Sequence, residues 1–261
     1  MGHERVGWVP KTKKWRDLIA QIGLAYGGRA DIEDVAAQTL KNVQAQYQNL
    51  SRDEAVKSAY AYLLRFALAC GKTDINSALQ GIGIANPETA SILAVVRNLR
   101  TSVPVEQART EYGDLAINAA ADALGTWQRD FSSKQIDLFN PSGQSLESWR
   151  DLGTGSGFCQ LSRVFFGKLT ERYLKYFLDR VASSECNSLE GREQFQRGIE
   201  KHVDDISKHA FETAQITQSF AAGWFNKHRK NARVTETQLE GYLGVAFGKL
   251  REELRIEGAK K

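Results

Sequence analysis

Two short runs in this chain imitate the loop that wraps nucleotide phosphates: Cys-Gly-Lys-Thr at Cys70 to Thr73 and Gly-Lys-Leu-Thr at Gly167 to Thr170. The full motif needs a further glycine five residues before the one preceding the lysine, because backbone N–H groups must enclose the phosphates, and it must follow a strand. Phe66 and Ser162 stand at those positions, and both runs fall in helical patterns. A third glycine run, Gly153, Gly155 and Gly157, imitates a dinucleotide fingerprint, but no strand pattern precedes it and its third glycine comes too early. It reads as a hinge, with an anion held on the N–H groups of the following helix as the weaker alternative.

Metal and nucleophile chemistry fare no better. His202, Asp205 and His209 share a helix side. The two histidines are nevertheless two turns apart, roughly 10.5 Å along the axis, too far for one ion that each must approach to about 2 Å. Cys70, Cys159 and Cys186 lack CxxC pairing, and no local base or cation activates Cys70 or Cys186. Asp204 with Asp205, and Glu252 with Glu253, are sequence neighbours that diverge around a helix, so they make poor acid–base pairs. No catalytic residue, cofactor or metal is expected.

The residues best suited to binding are cations beside aromatics. Lys227, Arg229, Lys230 and Arg233 follow directly on Trp224 and Phe225, the combination that grips a phosphate backbone and stacks on bases. The competing reading is a helix C-terminus whose dipole is offset by cations. Lys11, Lys13, Lys14 and Arg16 form a second cluster, flanked by Trp8 and Trp15. Phe139, Trp149 and Arg150 are large residues in a loop context and are expected to touch a partner.

The elements that must position these residues are helices. The 261 residues suffice for one large helical domain or two small ones, and 42% hydrophobic with 25% charged residues is a globular composition. Net charge is +4, but residues 1–16 carry five basic residues against one acidic, and residues 221–261 carry nine against five. Positive charge is thus segregated to the ends, which favours anionic partners. Three unpaired cysteines indicate a reducing compartment, and the absence of a long apolar run or a signal core argues against a membrane span or secretion. A cytoplasmic location is expected.

Helices are expected over Thr12–Tyr26 and Asp31–Leu50, then from a Ser51-x-x-Glu54 capping box through to Cys70, with Gly71 as its stop. Asn86 and Pro87 should open a fourth helix and Pro104 a fifth reaching Phe131, with Ala116 to Ala123 allowing close packing. Residues 132–158 read as a loop rich in Ser, Gly, Asn and Pro. Cys159–Ala182 is amphipathic, and Ser188–Phe225, roughly 55 Å long if unbroken, carries a coiled-coil-like seam over residues 199–224 suited to oligomerisation. Thr235 and Gln238 cap a last helix that ends near Ile256, in which Gly241, Gly244 and Gly248 suggest tight packing.

The sequence therefore describes an all-α bundle of about seven or eight helices. It divides into an N-terminal subdomain (1–131), a linker (132–158) and a C-terminal subdomain (159–261). The function it favours is a non-catalytic interaction protein acting as a subunit or accessory of a larger intracellular assembly, with a protein partner and no membrane. DNA or RNA binding through the terminal patches is the alternative, with a prokaryotic defence or mobile-element system as one setting. An enzyme whose site is assembled from distant residues is the third.

Overall fold

The computed structural model describes residues 50–87, 91–131, 145–185, 193, 197, 215–229 and 234–257. Every regular element among the described residues is helical, as an all-α bundle requires, and none of these helices is long and apolar enough to cross a membrane. The first two expected helices lie outside them, apart from Leu50, which is fully buried.

Helix α1 (Glu54–Cys70) is the centre of the bundle, buried on nearly every side as its apolar residues require. Asp53, not Ser51, caps it, accepting from the N–H groups of Ala55 at 3.0 Å and Val56 at 3.1 Å. The Ser51–Glu54 box does not form because Glu54 is already the first helical residue, where its side chain cannot reach back. Gly71 ends α1 as expected, its N–H donating to Ala67 O at 3.2 Å.

The next stretch holds a short helix, α2 (Ile75–Gly81), capped by Asp74, whose carboxylate accepts from Ser77 N at 3.0 Å and Ser77 Oγ at 2.6 Å. Gly83 takes a left-handed conformation (φ 95°) and turns the chain away, its carbonyl held by Asn98 Nδ2 at 3.0 Å. Helix α3 (Ile92–Ser102) starts at Ser91, which accepts from Ala94 N at 3.3 Å, so Asn86 and Pro87 do not open it. The expected fifth helix is two: α4 (Val105–Ala108) and α5 (Glu111–Phe131). Thr110 makes the break by donating to Gln107 O at 2.8 Å while accepting from Gly113 N at 2.9 Å. Ala116, Ala119, Ala120 and Ala123 are fully buried, so α5 is the close-packed helix its composition predicts.

The linker expected over 132–158 is not a loop from Ser145 onward. Residues 132–144 lie outside the described set, but α6 (Ser145–Arg150) and a 3₁₀ turn (Asp151–Gly153) lead directly into α7 (Gly155–Glu185). Leu152 and Phe158 are fully buried, and this burial overrides a composition that favours turns. Helices α5 and α7 make the most extensive pairing, joined at the surface by Arg172 Nε donating to Asp122 Oδ2 at 3.0 Å. Leu161, Phe165, Phe166, Leu169 and Tyr173 form the buried side of α7.

Helix α8 (Gln215–His228) packs on α7. Helix α9 (Glu236–Glu257) opens on the expected capping box: Thr235 N donates to Gln238 Oε1 at 3.0 Å and Gln238 N to Thr235 Oγ1 at 3.3 Å. One buried apolar cluster runs from Leu50 to Phe247, so residues on both sides of the expected linker share a core. At the end of the seam, Phe220 and Trp224 pack within the chain against Tyr242, with ring centroids 5.4 and 4.8 Å apart. The rest of the seam, residues 199–214, lies outside the described residues. A Cβ added at Gly241, Gly244 or Gly248 would meet nothing within 4 Å, so the close packing expected there is not found among the described residues.

Candidate functional site

Of the predicted binding residues, Lys227 and Arg229 are exposed at the end of α8. Lys230, Arg233, Lys11, Lys13, Lys14, Arg16, Trp8, Trp15 and Phe139 lie outside the described residues. The aromatics beside the cations face inward. Phe225 is fully buried and stacks on Phe158 with centroids 4.6 Å apart. Trp224 is half-buried and lies on the His228 ring at 4.2 Å. His228 Nδ1 donates to Trp224 O at 2.7 Å, an arrangement that requires the proton on Nδ1 because a carbonyl only accepts.

Lys72, from the first phosphate-loop imitation, joins this end of the molecule: its Nζ donates to Arg229 O at 3.4 Å. The carboxyl ends of α1 and α8 therefore meet here, and Lys72, Lys227 and Arg229 gather where two helix dipoles leave partial negative charge. Each such cation contributes about 0.3–1 kcal/mol.

The glycine runs have a packing role. Gly71 and Gly153 touch backbone to backbone; a Cβ on Gly71 would stand 2.7 Å from Gly153 O. A Cβ on Gly155 would stand 2.6 Å from Asn226 Nδ2, and one on Gly157 would overlap Asp151 O. The run expected to act as a hinge thus meets backbone too closely for a Cβ at Gly153 and Gly157, while Gly155 faces the side chain of exposed Asn226. Thr154 caps α7, its Oγ1 accepting from Gly157 N at 3.0 Å, which occupies one donor that an anion would have used. The second imitation lies inside α7: Lys168 pairs with Glu171 at 2.7 Å, and buried Thr170 donates to Phe166 O at 2.7 Å.

Burial pushes both described thiols up, strongly at Cys70 and less at half-buried Cys159, so neither is a ready thiolate. Cys186, His202, Asp204, Asp205 and His209 lie outside the described residues. Among the described residues no group of three or more His, Cys, Asp or Glu could hold a metal ion.

A buried trio of hydroxyls was invisible in the sequence. Tyr60 OH and Ser162 Oγ are 2.7 Å apart at the α1–α7 contact, and the Tyr242 ring stacks on Tyr60 at 5.5 Å. Burial raises the Tyr60 phenol far above its ordinary range and pushes Tyr242 up to about 12, the latter against hydrogen bonds from Tyr60 and Ser162 that lower it. These hydroxyls stay neutral and align three helices.

Trp149 is corrected from a partner-facing residue to a core residue. It has no exposed surface, stacks on Trp127 at 5.8 Å and meets Phe66 edge-on at 5.1 Å. Arg150 next to it is exposed.

Among the described residues, an open groove of about 860 Å³ runs along α1, walled by α2, the α3–α4 turn and the start of α9. Its floor includes Ala61, Leu64 and Leu68, and Ile82, Pro104 and Leu239 stand on its walls. A second cleft of about 530 Å³ lies between the α1 start and the glycine face of α9. Lys57 lines both, its Nζ 2.7 Å from Glu240 Oε1 and also bonded to Glu54. Those two bonds raise its pKa against the opposing effect of burial, so it stays a charged strut between α1 and α9. Sequence spacing could not show the groove, because four separate elements build it. No known protein family, no curated protein and no solved structure matches this chain.

Proposed function

We propose that the chain is a non-catalytic helical interaction protein, a subunit or accessory of a larger intracellular assembly. The observation that carries this reading is the α1 groove, an open apolar channel with a charged rim on a bundle whose buried polar side chains mostly serve packing. A channel of that volume is in the range used for binding, and half-buried Ala61 and Leu68 give its floor an apolar character.

The test is affinity purification of the tagged chain from its own cells, beside Ala61→Arg and Leu68→Arg variants that keep the natural melting temperature. A partner that copurifies in fixed ratio, rebinds as a purified protein and is reduced at least about tenfold by either variant supports the reading. Equal recovery with all three chains, or recovery no better than a blank, overturns it.

Nucleic-acid binding is the second reading, favoured by exposed Lys227 and Arg229 with Lys72 beside them. It calls for retention on single-stranded DNA or RNA that declines log-linearly with salt and is lost in Lys227→Glu/Arg229→Glu. Absence of retention at low salt removes it.

A further inference from the structure

We infer that α9 is a lid: it opens as one unit from a bundle that otherwise stays folded, and so uncovers an aromatic face shared by α1, α7 and α8. The lid stands whether or not the α1 groove has a partner.

The burial of α9 is one-sided. Leu239, Tyr242, Leu243, Ala246 and Phe247, at alternating spacings of three and one, are buried, whereas Glu236, Thr237, Glu240, Gly241, Gly244 and Val245 are exposed. Helix α1, by contrast, is buried on nearly every side. The outer face of α9 also weakens the helix itself. Gly241, Gly244 and Gly248 all lie in its interior, and among the described residues a Cβ on any of them would meet nothing within 4 Å, so no close packing is gained in return. Each glycine shifts the local balance about two- to fivefold away from helix relative to alanine.

The way α9 is attached points in the same direction. It is the last described element, so its departure reroutes no other described helix. The Lys57–Glu240 pair joins it to α1, but Glu240 is half exposed, and an ion pair in that setting adds little. What stays behind holds together without it. Helix α5 pairs extensively with α7 and with α1, and Phe225 keeps α8 on α7 through its stack on Phe158. Elements anchored so unequally open at different free energies, the one-sided surface helix before the enclosed ones.

Opening takes Tyr242 off the rings of Tyr60, Trp224 and Phe220, which it meets at 5.5, 4.8 and 5.4 Å, and takes Phe247 off Phe166 at 5.2 Å. Those four rings, hidden in part or in full by α9 in the closed chain, form the uncovered face. Glu236 and Leu239 leave the wall of the α1 groove in the same motion, so the lid also sets how wide that channel is.

The test is hydrogen–deuterium exchange of the full chain, read by mass spectrometry at urea concentrations below the unfolding transition. Peptides over residues 239–247 should exchange at least about tenfold faster than the slowest amides of α1, α5 and α7. Their urea dependence should be shallower, merging with that of the bundle only as global unfolding takes over. Gly241→Ala/Gly244→Ala, whose added Cβ atoms stand in open space, should slow exchange over 239–247 about 4- to 25-fold and raise Tm. Amides of α9 that follow the same urea line as α1 overturn the inference, because the helix then leaves only with the whole fold. Fast α9 exchange that ignores the double variant overturns it in favour of fraying. Peptides of α8 that exchange in step with α9 overturn it in favour of a paired unit.

Discussion

Replacing Gly153 by Ala tests whether the glycine run is a packing device. The new Cβ would stand 2.7 Å from the Cys70 carbonyl carbon and closer still to the Gly71 backbone, whereas ordinary Cβ contacts begin at 3.4 Å. All the obstructing atoms are backbone at the end of a buried helix, so no side chain can swing aside. The 3₁₀ turn and the α1 terminus must part by about 1 Å, an overpacking cost of about 1–3 kcal/mol. For a chain of this size that lowers Tm by about 2–12 °C. Gly125→Ala is the matched control: it lies within α5 with nothing within 4 Å of its added Cβ. It should gain about 0.5–1 kcal/mol, raising Tm by about 1–4 °C. Differential scanning calorimetry reads both. If Gly153→Ala melts at or above the natural chain, the close approach is not what requires glycine there, and a hinge or anion-binding role returns.

Trp149→Ala should lose about 3–5 kcal/mol in chemical denaturation, because it empties a fully buried indole site; a change below about 1 kcal/mol would restore a surface role. Tyr60→Phe removes one of the two tyrosine hydroxyls beside Ser162 and should cost about 1 kcal/mol, without altering the melting cooperativity that calorimetry records. At Glu171, burial raises the carboxyl pKa, but bonds from Lys168 and Lys175 outweigh it and leave the value lowered. The resulting stability is present above the ordinary carboxylate value of 4.5 and is lost as pH falls through the lower folded value. Melts of Glu171→Gln and the natural chain should therefore differ at neutral pH and converge once the pH has fallen below the lowered folded value.

Local signals in this sequence were legible where a motif closes on itself. Thr235 and Gln238 satisfy each other's backbone groups, so their spacing alone located the α9 start. The Ser51–Glu54 spacing misled because the cap falls two residues later, at Asp53, which accepts from Ala55 and Val56 N–H and leaves Glu54 in the first helical position rather than the third. Composition misled over residues 145–158, since a glycine needed for backbone contact cannot be told from a glycine that confers freedom until the touching segment, here Gly71, is known. Adjacent aromatics likewise diverge around a helix, so Phe225 turns into the core while Trp224 lies over His228 one turn later. The groove joins residues from four elements and had no linear signature.

The strut between Lys57 and Glu240 has a consequence for synthesis. Its partners are 183 residues apart, and Tyr60 waits equally long for Tyr242. At about 5–20 residues per second, a ribosome needs about 10–35 s to emit that span. Throughout that interval Lys57 and Tyr60 lack the α9 partners that they hold in the folded chain, so the α1–α9 contact closes only after α9 has emerged.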